Sequence, residues 1–168
     1  MKISMHAMSV GQFVPMLGNL AAIMGKGVAS ATTRKFEPDV LAGDRLAPDM
    51  LPFTRQIQLA CDFAKNSTAR LAGQEPPKFE DNETTFPELR ARIEKTLAYL
   101  KTVPASAVDG QEDRDITIPI RDQTLEMKGL AFLQRWALPN FYFHVVTAYN
   151  ILRHNGVDIG KRDFLGRT

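Results

Sequence analysis

Four segments of the chain repeat apolar residues at steps of three and four positions, and this period constrains the fold more than any other feature. The segments run from about 9 to 31, 48 to 72, 85 to 103 and 130 to 155. Such a period places the apolar residues of each segment on one face of an α-helix. Because each helix then has one apolar face to bury, the pattern predicts an all-α fold, an up-and-down four-helix bundle around one core.

Residues that commonly cap helices stand at the ends of these segments. Thr85 and Glu88 have the spacing of a capping box at the start of the third helix. Gly73 and Gly156 follow the second and fourth segments, where a residue in the left-handed conformation often ends a helix. Pro139 lies inside the fourth segment and predicts a break there.

A single strand-like region separates the third and fourth helices. Ile116, Ile118 and Ile120 alternate with other residues, and a second short run covers Thr124–Met127. The alternation predicts a small β-hairpin between the third and fourth helices. Pro119 has no backbone N–H and places its strand at an edge. A hairpin of this size is marginally stable alone, so we expect it to lean on the bundle.

Length and composition restrict the class of protein. The 168 residues predict one domain, 1–168, and the near balance of 21 basic and 19 acidic residues gives no reason to expect nucleic acid as a partner. The single cysteine, Cys61, excludes an intramolecular disulfide and favours a reducing, cytoplasmic location; we expect a buried, inert thiol. Gly11 and Pro15 interrupt the apolar N-terminal stretch, so we expect neither a signal peptide nor a membrane partner.

Several separated motifs occur in order along nearly the whole chain. They are Arg45–Met50, Ala69–Gly73, Thr85–Leu89, Leu138–His144 and Ala148–Gly156. Together they resemble a bacterial and fungal family of unknown function in the DinB/YfiT-like superfamily. The resemblance implies a DinB-like four-helix bundle, often a homodimer. It also implies a divalent metal, since better-known members bind one through three histidines, one on the second helix and two on the fourth.

The three histidines of this chain do not have the spacing of that metal site. His144 and His154 are ten residues apart on one helix, roughly 15 Å along its axis, and point about 80° apart. They cannot share an ion whose ligands each lie about 2 Å away. The second helix offers Gln56 in place of a histidine, and His6 precedes the first helix. We therefore predict no metal site and no cofactor; a divalent metal would need His144 with water and a carboxylate such as Asp49.

His144 lies within the apolar stripe of the fourth helix. One interpretation is a core histidine held neutral by a hydrogen bond. The other is a pocket residue that binds a small ligand where the superfamily holds its metal. Gln56 and Tyr149 would join it if the second and fourth helices face each other. The predicted ligand-binding residues are therefore His144, Tyr149 and Gln56.

Of the other charged residues, two have a structural and a functional interpretation, and the rest are expected to contact solvent. Arg70 and Arg153 lie near helix ends, where each could satisfy terminal carbonyls or hold an anionic group. Arg92 falls on the polar face of the third helix, which predicts contact with solvent. Asp81 and Glu83 belong to an acidic loop that we expect to be solvated.

Two hypotheses for the function follow. The first is a DinB-like bundle that has lost the metal triad and acts as a small-ligand-binding or interaction protein, as a homodimer. The alternative is a DinB-like enzyme, a metal- or thiol-dependent transferase or isomerase, with an atypical pocket around His144. The alternative requires an open cavity lined by His144, Tyr149 and Gln56.

Overall fold

Eight α-helices and one pair of strands make up the described chain. A computed structural model describes residues 3–120 and 122–167, so Arg121 in the hairpin and Thr168 at the end of the tail lie outside the described residues. The helices are α1 (Met5–Met8), α2 (Val10–Thr33), α3 (Phe53–Leu71), α4 (Phe86–Thr102), α5 (Ala105–Val108), α6 (Gly129–Phe132), α7 (Leu138–His154) and α8 (Lys161–Phe164). A 3₁₀-helix covers Pro38–Gly43, a π-helical turn covers Leu133–Ala137, and the strands are β1 (Asp115–Ile120) and β2 (Gln123–Lys128).

The four long helices, α2, α3, α4 and α7, enclose one apolar core. Helix α3 packs against both α4 and α7, and α2 packs against α4. Phe13 of α2 meets Phe141 of α7 edge to face, with ring centroids 4.8 Å apart. Phe53 of α3 stacks on Phe86 of α4 at 5.3 Å. These contacts confirm the predicted all-α bundle, because each stripe buries its large side chains against another helix.

The predicted helix ends are confirmed where capping residues marked them. The Thr85 hydroxyl accepts a hydrogen bond from the backbone N–H of Glu88, whose carboxylate accepts in return from the N–H of Thr85. A further N–H, that of Thr84, also donates to this carboxylate, and these bonds lower the pKa of Glu88 to about 2. Gly73 and Gly156 adopt positive φ angles of 70° and 80° just past α3 and α7.

Helix α3 begins five residues later than predicted. The sequence placed its start near Pro48, whereas the first helical residue is Phe53. Pro52 is extended, with ψ of 167°, and occupies the N-cap position. A proline disfavours helical backbone at the residue before it, so Leu51 cannot continue a helix from Pro48. Gln56 is consequently in the first turn of α3.

The predicted hairpin forms between α4 and α7. Strands β1 and β2 pair antiparallel, with Ile116 opposite Met127 and Ile118 opposite Leu125. Ile116 and Ile118 are buried against the bundle, whereas Ile120 is exposed. The two inward isoleucines give the hairpin the apolar support that two strands cannot supply alone.

The break predicted at Pro139 takes the form of a wider turn. Leu133–Ala137 is π-helical, and Pro139 occupies the first turn of α7. Proline offers no N–H, and its ring crowds the carbonyl four residues before it, so a wider turn avoids the conflict. The Asn140 side chain donates to the Trp136 carbonyl at 2.8 Å. The helical path therefore continues across the proline, with the position of Trp136 set by this turn.

The C-terminal tail contains α8 and two buried side chains. Val157 and Ile159 reach the core, and Lys26 of α2 forms an ion pair with Asp163. The Asn19 side chain donates to the Phe164 carbonyl at 3.0 Å. The tail thus packs against α2.

The N-terminal helical stretch is apolar as well as long. By length and composition alone, the helical stretch Met5–Thr33 could cross a membrane, although Gly11 and Pro15 interrupt it: an 18-residue window within it has a mean hydropathy of 1.3. In the fold, 44% of that window is buried, and α2 contributes Phe13, Leu17 and Leu20 to the core. The apolar residues of this stretch therefore have a place inside the bundle.

Two glycine substitutions are expected to have opposite effects on stability. A Cβ at Gly129 would lie 2.1 Å from the Gln111 backbone oxygen, so Gly129→Ala should lower the free energy of unfolding by about 2 kcal/mol. A Cβ at Gly18, in α2, meets nothing within 4 Å, so Gly18→Ala should raise it by about 0.5–1 kcal/mol. Urea unfolding of both variants measures the difference. A neutral Gly129→Ala would contradict the close approach of these backbones.

Candidate functional site

His144 and Gln56 face each other across the contact between α7 and α3. His144 Nδ1 lies 2.8 Å from Gln56 Oε1, and both side chains are buried. The other end of the amide, Gln56 Nε2, donates to the Leu51 carbonyl at 2.9 Å. Because Gln56 thereby presents its oxygen to the ring, Nδ1–H of His144 is the donor and Nε2 is the acceptor of the neutral imidazole.

Aromatic side chains hold the imidazole of His144. Phe63 of α3 stacks on the ring with centroids 5.5 Å apart, and Phe143 meets it edge to face at 5.3 Å. Burial lowers the pKa of His144 to about 4, and the positive charge of Arg55 lowers it in the same direction. The ring is therefore neutral at pH 7.

Tyr149 does not join the pair that the sequence placed it with. Its hydroxyl lies 3.5 Å from the Ile159 carbonyl, and its ring packs against Phe164 of α8. Five residues along a helix rotate a side chain by about 140°, so Tyr149 and His144 cannot face the same neighbour. Five cavities that open on the described surface are lined by other residues than His144, Gln56 and Tyr149.

The three histidines are also apart in the fold. The backbone N–H of His6 donates to the Asp109 carboxylate, and His154 is exposed in the last turn of α7. Within residues 3–120 and 122–167, no three His, Cys, Asp or Glu side chains are grouped so that they could hold a metal ion, Asp49 included. The residues around His144 therefore do not fit the three-histidine metal site that the resemblance implies.

Cys61, in the middle of α3, is buried as predicted. Burial raises the pKa of its thiol to about 12, although a hydrogen bond with Thr96 acts in the opposite direction. A thiol with this pKa is protonated at neutral pH and is a poor nucleophile.

A cleft begins on the other side of Phe63. The Phe63 ring meets Trp136 edge to face at 6.4 Å, and Trp136 is the only tryptophan of the chain. The cleft has a volume of about 310 Å³ and lies between α3, β1 and the turn that carries Trp136. Its lining consists of Leu59, Asp62, Phe63, Asn66, Ser67, Arg70, Ile118, Pro119, Ile120, Phe132 and Trp136. Aromatic and aliphatic walls with a few polar groups are typical of small-molecule sites.

Two polar groups in this cleft have no partner among the described residues. Asn66 Oδ1 is buried and accepts no hydrogen bond from that part of the chain. Arg70 forms no ion pair with a described carboxylate. Burial lowers the pKa of Arg70, while the charge of Glu75 acts against that effect. By contrast, Arg153 donates to the Val157 carbonyl at 3.4 Å, three residues beyond the end of α7, and not to a terminal carbonyl of the helix as predicted.

Sequence reasoning missed most of this cleft. Phe63, Asn66 and Trp136 come from two segments about seventy residues apart, and their meeting depends on the hairpin and the π-turn. The available signals were the lone tryptophan and Pro139 three residues after it. Arg70 was considered either as a helix-end residue or as an anion-binding one, and the structure places it in the lining of the cleft.

Comparison with known proteins identifies the family. The model of a domain of unknown function, DUF1993, matches residues 5–165. The chain belongs to the DUF1993 family. The chain is similar to a DinB family member from Shewanella denitrificans whose crystal structure is known. The two sequences are 44% identical, and the structures superpose with a TM-score of 0.89, covering 97% of this chain and 92% of that one. No protein of curated function matches the DUF1993 chain.

These matches confirm the predicted resemblance and the DinB-like bundle with its hairpin. They bear on neither ligand nor assembly. The homodimer, the cytoplasmic location and the absence of nucleic acid, membrane and cofactor therefore stay predictions.

Proposed function

We propose that this protein binds a small molecule in the cleft between α3, β1 and the turn that carries Trp136. The observation that carries this proposal is the pair of uncommitted polar groups, Asn66 Oδ1 and the Arg70 guanidinium, beside aromatic walls. A buried acceptor without a partner costs about 1–3 kcal/mol, so a ligand that donates a hydrogen bond to Asn66 Oδ1 recovers that cost. The volume of about 310 Å³ is at the lower end of small-ligand sites.

In this proposal His144 and Gln56 are positioning residues. The imidazole stacks behind Phe63, and Gln56 fixes the ring through a hydrogen bond of 2.8 Å. Phe63 in turn meets Trp136 across the wall of the cleft. The histidine of the DinB-like metal site would thus have become a support for an aromatic binding wall.

Replacing Asn66 by leucine should separate binding from stability. The substitution removes the unpaired acceptor at similar volume, so the free energy of unfolding should rise by about 1 kcal/mol while ligand binding in the cleft weakens. Asn19→Leu is the matched control, because the Asn19 side chain already donates to Phe164 and its loss should lower stability. Urea unfolding measures both, and a destabilised Asn66→Leu would argue that Asn66 has a structural partner.

Protein-observed NMR with a library of small aromatic fragments tests the binding itself. The single indole N–H, that of Trp136, gives one resolved reporter inside the cleft. We expect fragments that bind to shift this signal and the backbone amide signals of Asn66, Arg70 and Ile118. Asn66→Leu should weaken the binding of these fragments. A second groove, of about 490 Å³, is lined by Met24 and Phe86 on the α2–α4 side. Hits that shift only the amides of that groove would overturn the proposal.

A further inference from the structure

Two ionised side chains, Asp62 and Arg70, line the cleft, and the protein neutralises only the first. Asp62 Oδ1 lies 2.8 Å from the Arg92 guanidinium and 3.4 Å from Lys65 Nζ. The Arg92 side chain is 1% exposed and the Asp62 side chain 24% exposed, so the guanidinium of this ion pair is shielded from water. The ion pairs of Asp62 are therefore with Arg92 and Lys65 and not with Arg70.

Arg70 stands one helical turn beyond Asn66 on the same face of α3. The guanidinium is partly buried, and no described carboxylate forms an ion pair with it. Burial lowers the pKa of Arg70, and Glu75, beyond the end of α3, opposes that shift through its charge without forming an ion pair. A partly desolvated guanidinium gains most from a bidentate oxyanion, whose two oxygens match its parallel N–H groups.

We propose that the ligand of the cleft is a planar aromatic molecule with an oxyanion group, which binds Arg70, and a hydrogen-bond donor, which meets Asn66 Oδ1. This inference rests on the proposed function. Side chains one turn apart have Cβ atoms about 5–6 Å apart, so one small molecule can contact both groups. The planar part lies against Phe63 and Trp136.

A matched pair of fluorescent probes isolates the oxyanion. Anilinonaphthalene sulfonate and N-phenylnaphthylamine share one scaffold and differ in the sulfonate. Quenching of Trp136 on addition of each probe gives its dissociation constant in the cleft. We expect the sulfonate to bind about tenfold more tightly than the neutral probe, as charge-assisted hydrogen bonds to a guanidinium imply.

Substitutions at Arg70 show whether its guanidinium causes the preference for the sulfonate probe. Arg70→Gln should bind both probes equally, Arg70→Lys should keep part of the preference, and Arg162→Gln, at an exposed arginine of α8, should keep all of it. Displacement of the bound sulfonate by benzoate indicates a carboxylate ligand, displacement by phenyl phosphate indicates a phosphate, and equal displacement by benzyl alcohol overturns the inference.

Failure of the oxyanion inference and failure of the proposed function give different experimental results. If both probes quench Trp136 with equal affinity for the wild type, the cleft still binds small molecules but the oxyanion inference is wrong. A preference that survives Arg70→Gln also overturns it. If neither probe quenches Trp136 nor any fragment shifts its indole signal, the proposed function itself fails.

Discussion

Replacing Arg92 by methionine should lower the free energy of unfolding by about 3–5 kcal/mol, the cost of removing one partner from a buried ion-pair network. The Arg92 guanidinium lies 2.8 Å from Asp62, 3.0 Å from Asp81 and 3.0 Å from Glu83. It also donates to the Glu80 carbonyl at 2.8 Å. Methionine fills similar space but removes the cation that three carboxylates share. Asp62 keeps Lys65 and Asp81 keeps Arg55, whereas Glu83 loses its one ion pair among the described residues. Chemical denaturation at pH 7 measures the loss.

The neighbouring Arg90 provides the matched control. It lies two residues away on α4 and pairs with Glu94 at 3.1 Å, but its side chain is 58% exposed. An exposed pair contributes little, so Arg90→Met should change stability by less than about 0.5 kcal/mol. Equal effects of the two substitutions would mean that the Arg92 network contributes no more than a surface ion pair.

The Arg92 network also connects the loop between α3 and α4 to the cleft. Asp81 and Glu83 belong to that loop, whereas Asp62 lines the cleft from the opposite side of the network. Lys65 strengthens the connection by donating to the Pro77 carbonyl and pairing with Asp62. Arg92 thus stabilises the loop and at the same time binds the one carboxylate in the lining of the cleft.

The helical periods predicted the core, but they could not predict this network. Leu89 and Ile93 are buried as their spacing requires. Arg92 was assigned to solvent, and that prediction was wrong: the whole residue is 2% exposed. A charged residue on a polar stripe has the same sequence pattern whether water or a carboxylate surrounds it. Its partners Asp81 and Glu83, expected to be solvated, come from a loop without periodicity.

The candidate site could also be predicted from the sequence only in part. Gln56 and His144 could be paired in advance, because each is a polar residue on a stripe that faces another helix. Tyr149 could not be excluded without considering helical rotation, which turns it toward α8. The cleft itself required the packing of the hairpin and the π-turn at Leu133–Ala137, features that depend on contacts between distant parts of the chain.

His144 should make the protein lose about 3 kcal/mol of stability as the pH falls from about 6.5 to about 4. The ordinary pKa of histidine is 6.5 and that of His144 in the fold is about 4, so the unfolded chain binds the proton more readily between these values. Stability from this group is therefore fully present above pH 6.5 and is lost as the pH falls through the folded pKa. Burial raises the pKa of Asp81, but Arg55 and Arg92 outweigh this and hold it below its ordinary value of 3.8. Protonation of Asp81 therefore lowers stability only at lower pH.

The variant His144→Gln isolates this effect, since glutamine keeps a hydrogen-bonding side chain at the same place and does not titrate. We expect the wild type and the variant to differ in the slope of unfolding free energy against pH between 6.5 and 4, and to run parallel below about pH 3. His154→Gln is the control, because His154 is exposed and its removal should leave the slope unchanged. If His144→Gln retained the wild-type slope, other groups would control the acid response. If the slope disappeared in His144→Gln and small aromatic fragments also shifted the Trp136 indole signal less, two conclusions would follow. The buried histidine would be both the source of the pH dependence and the support of the Phe63 wall.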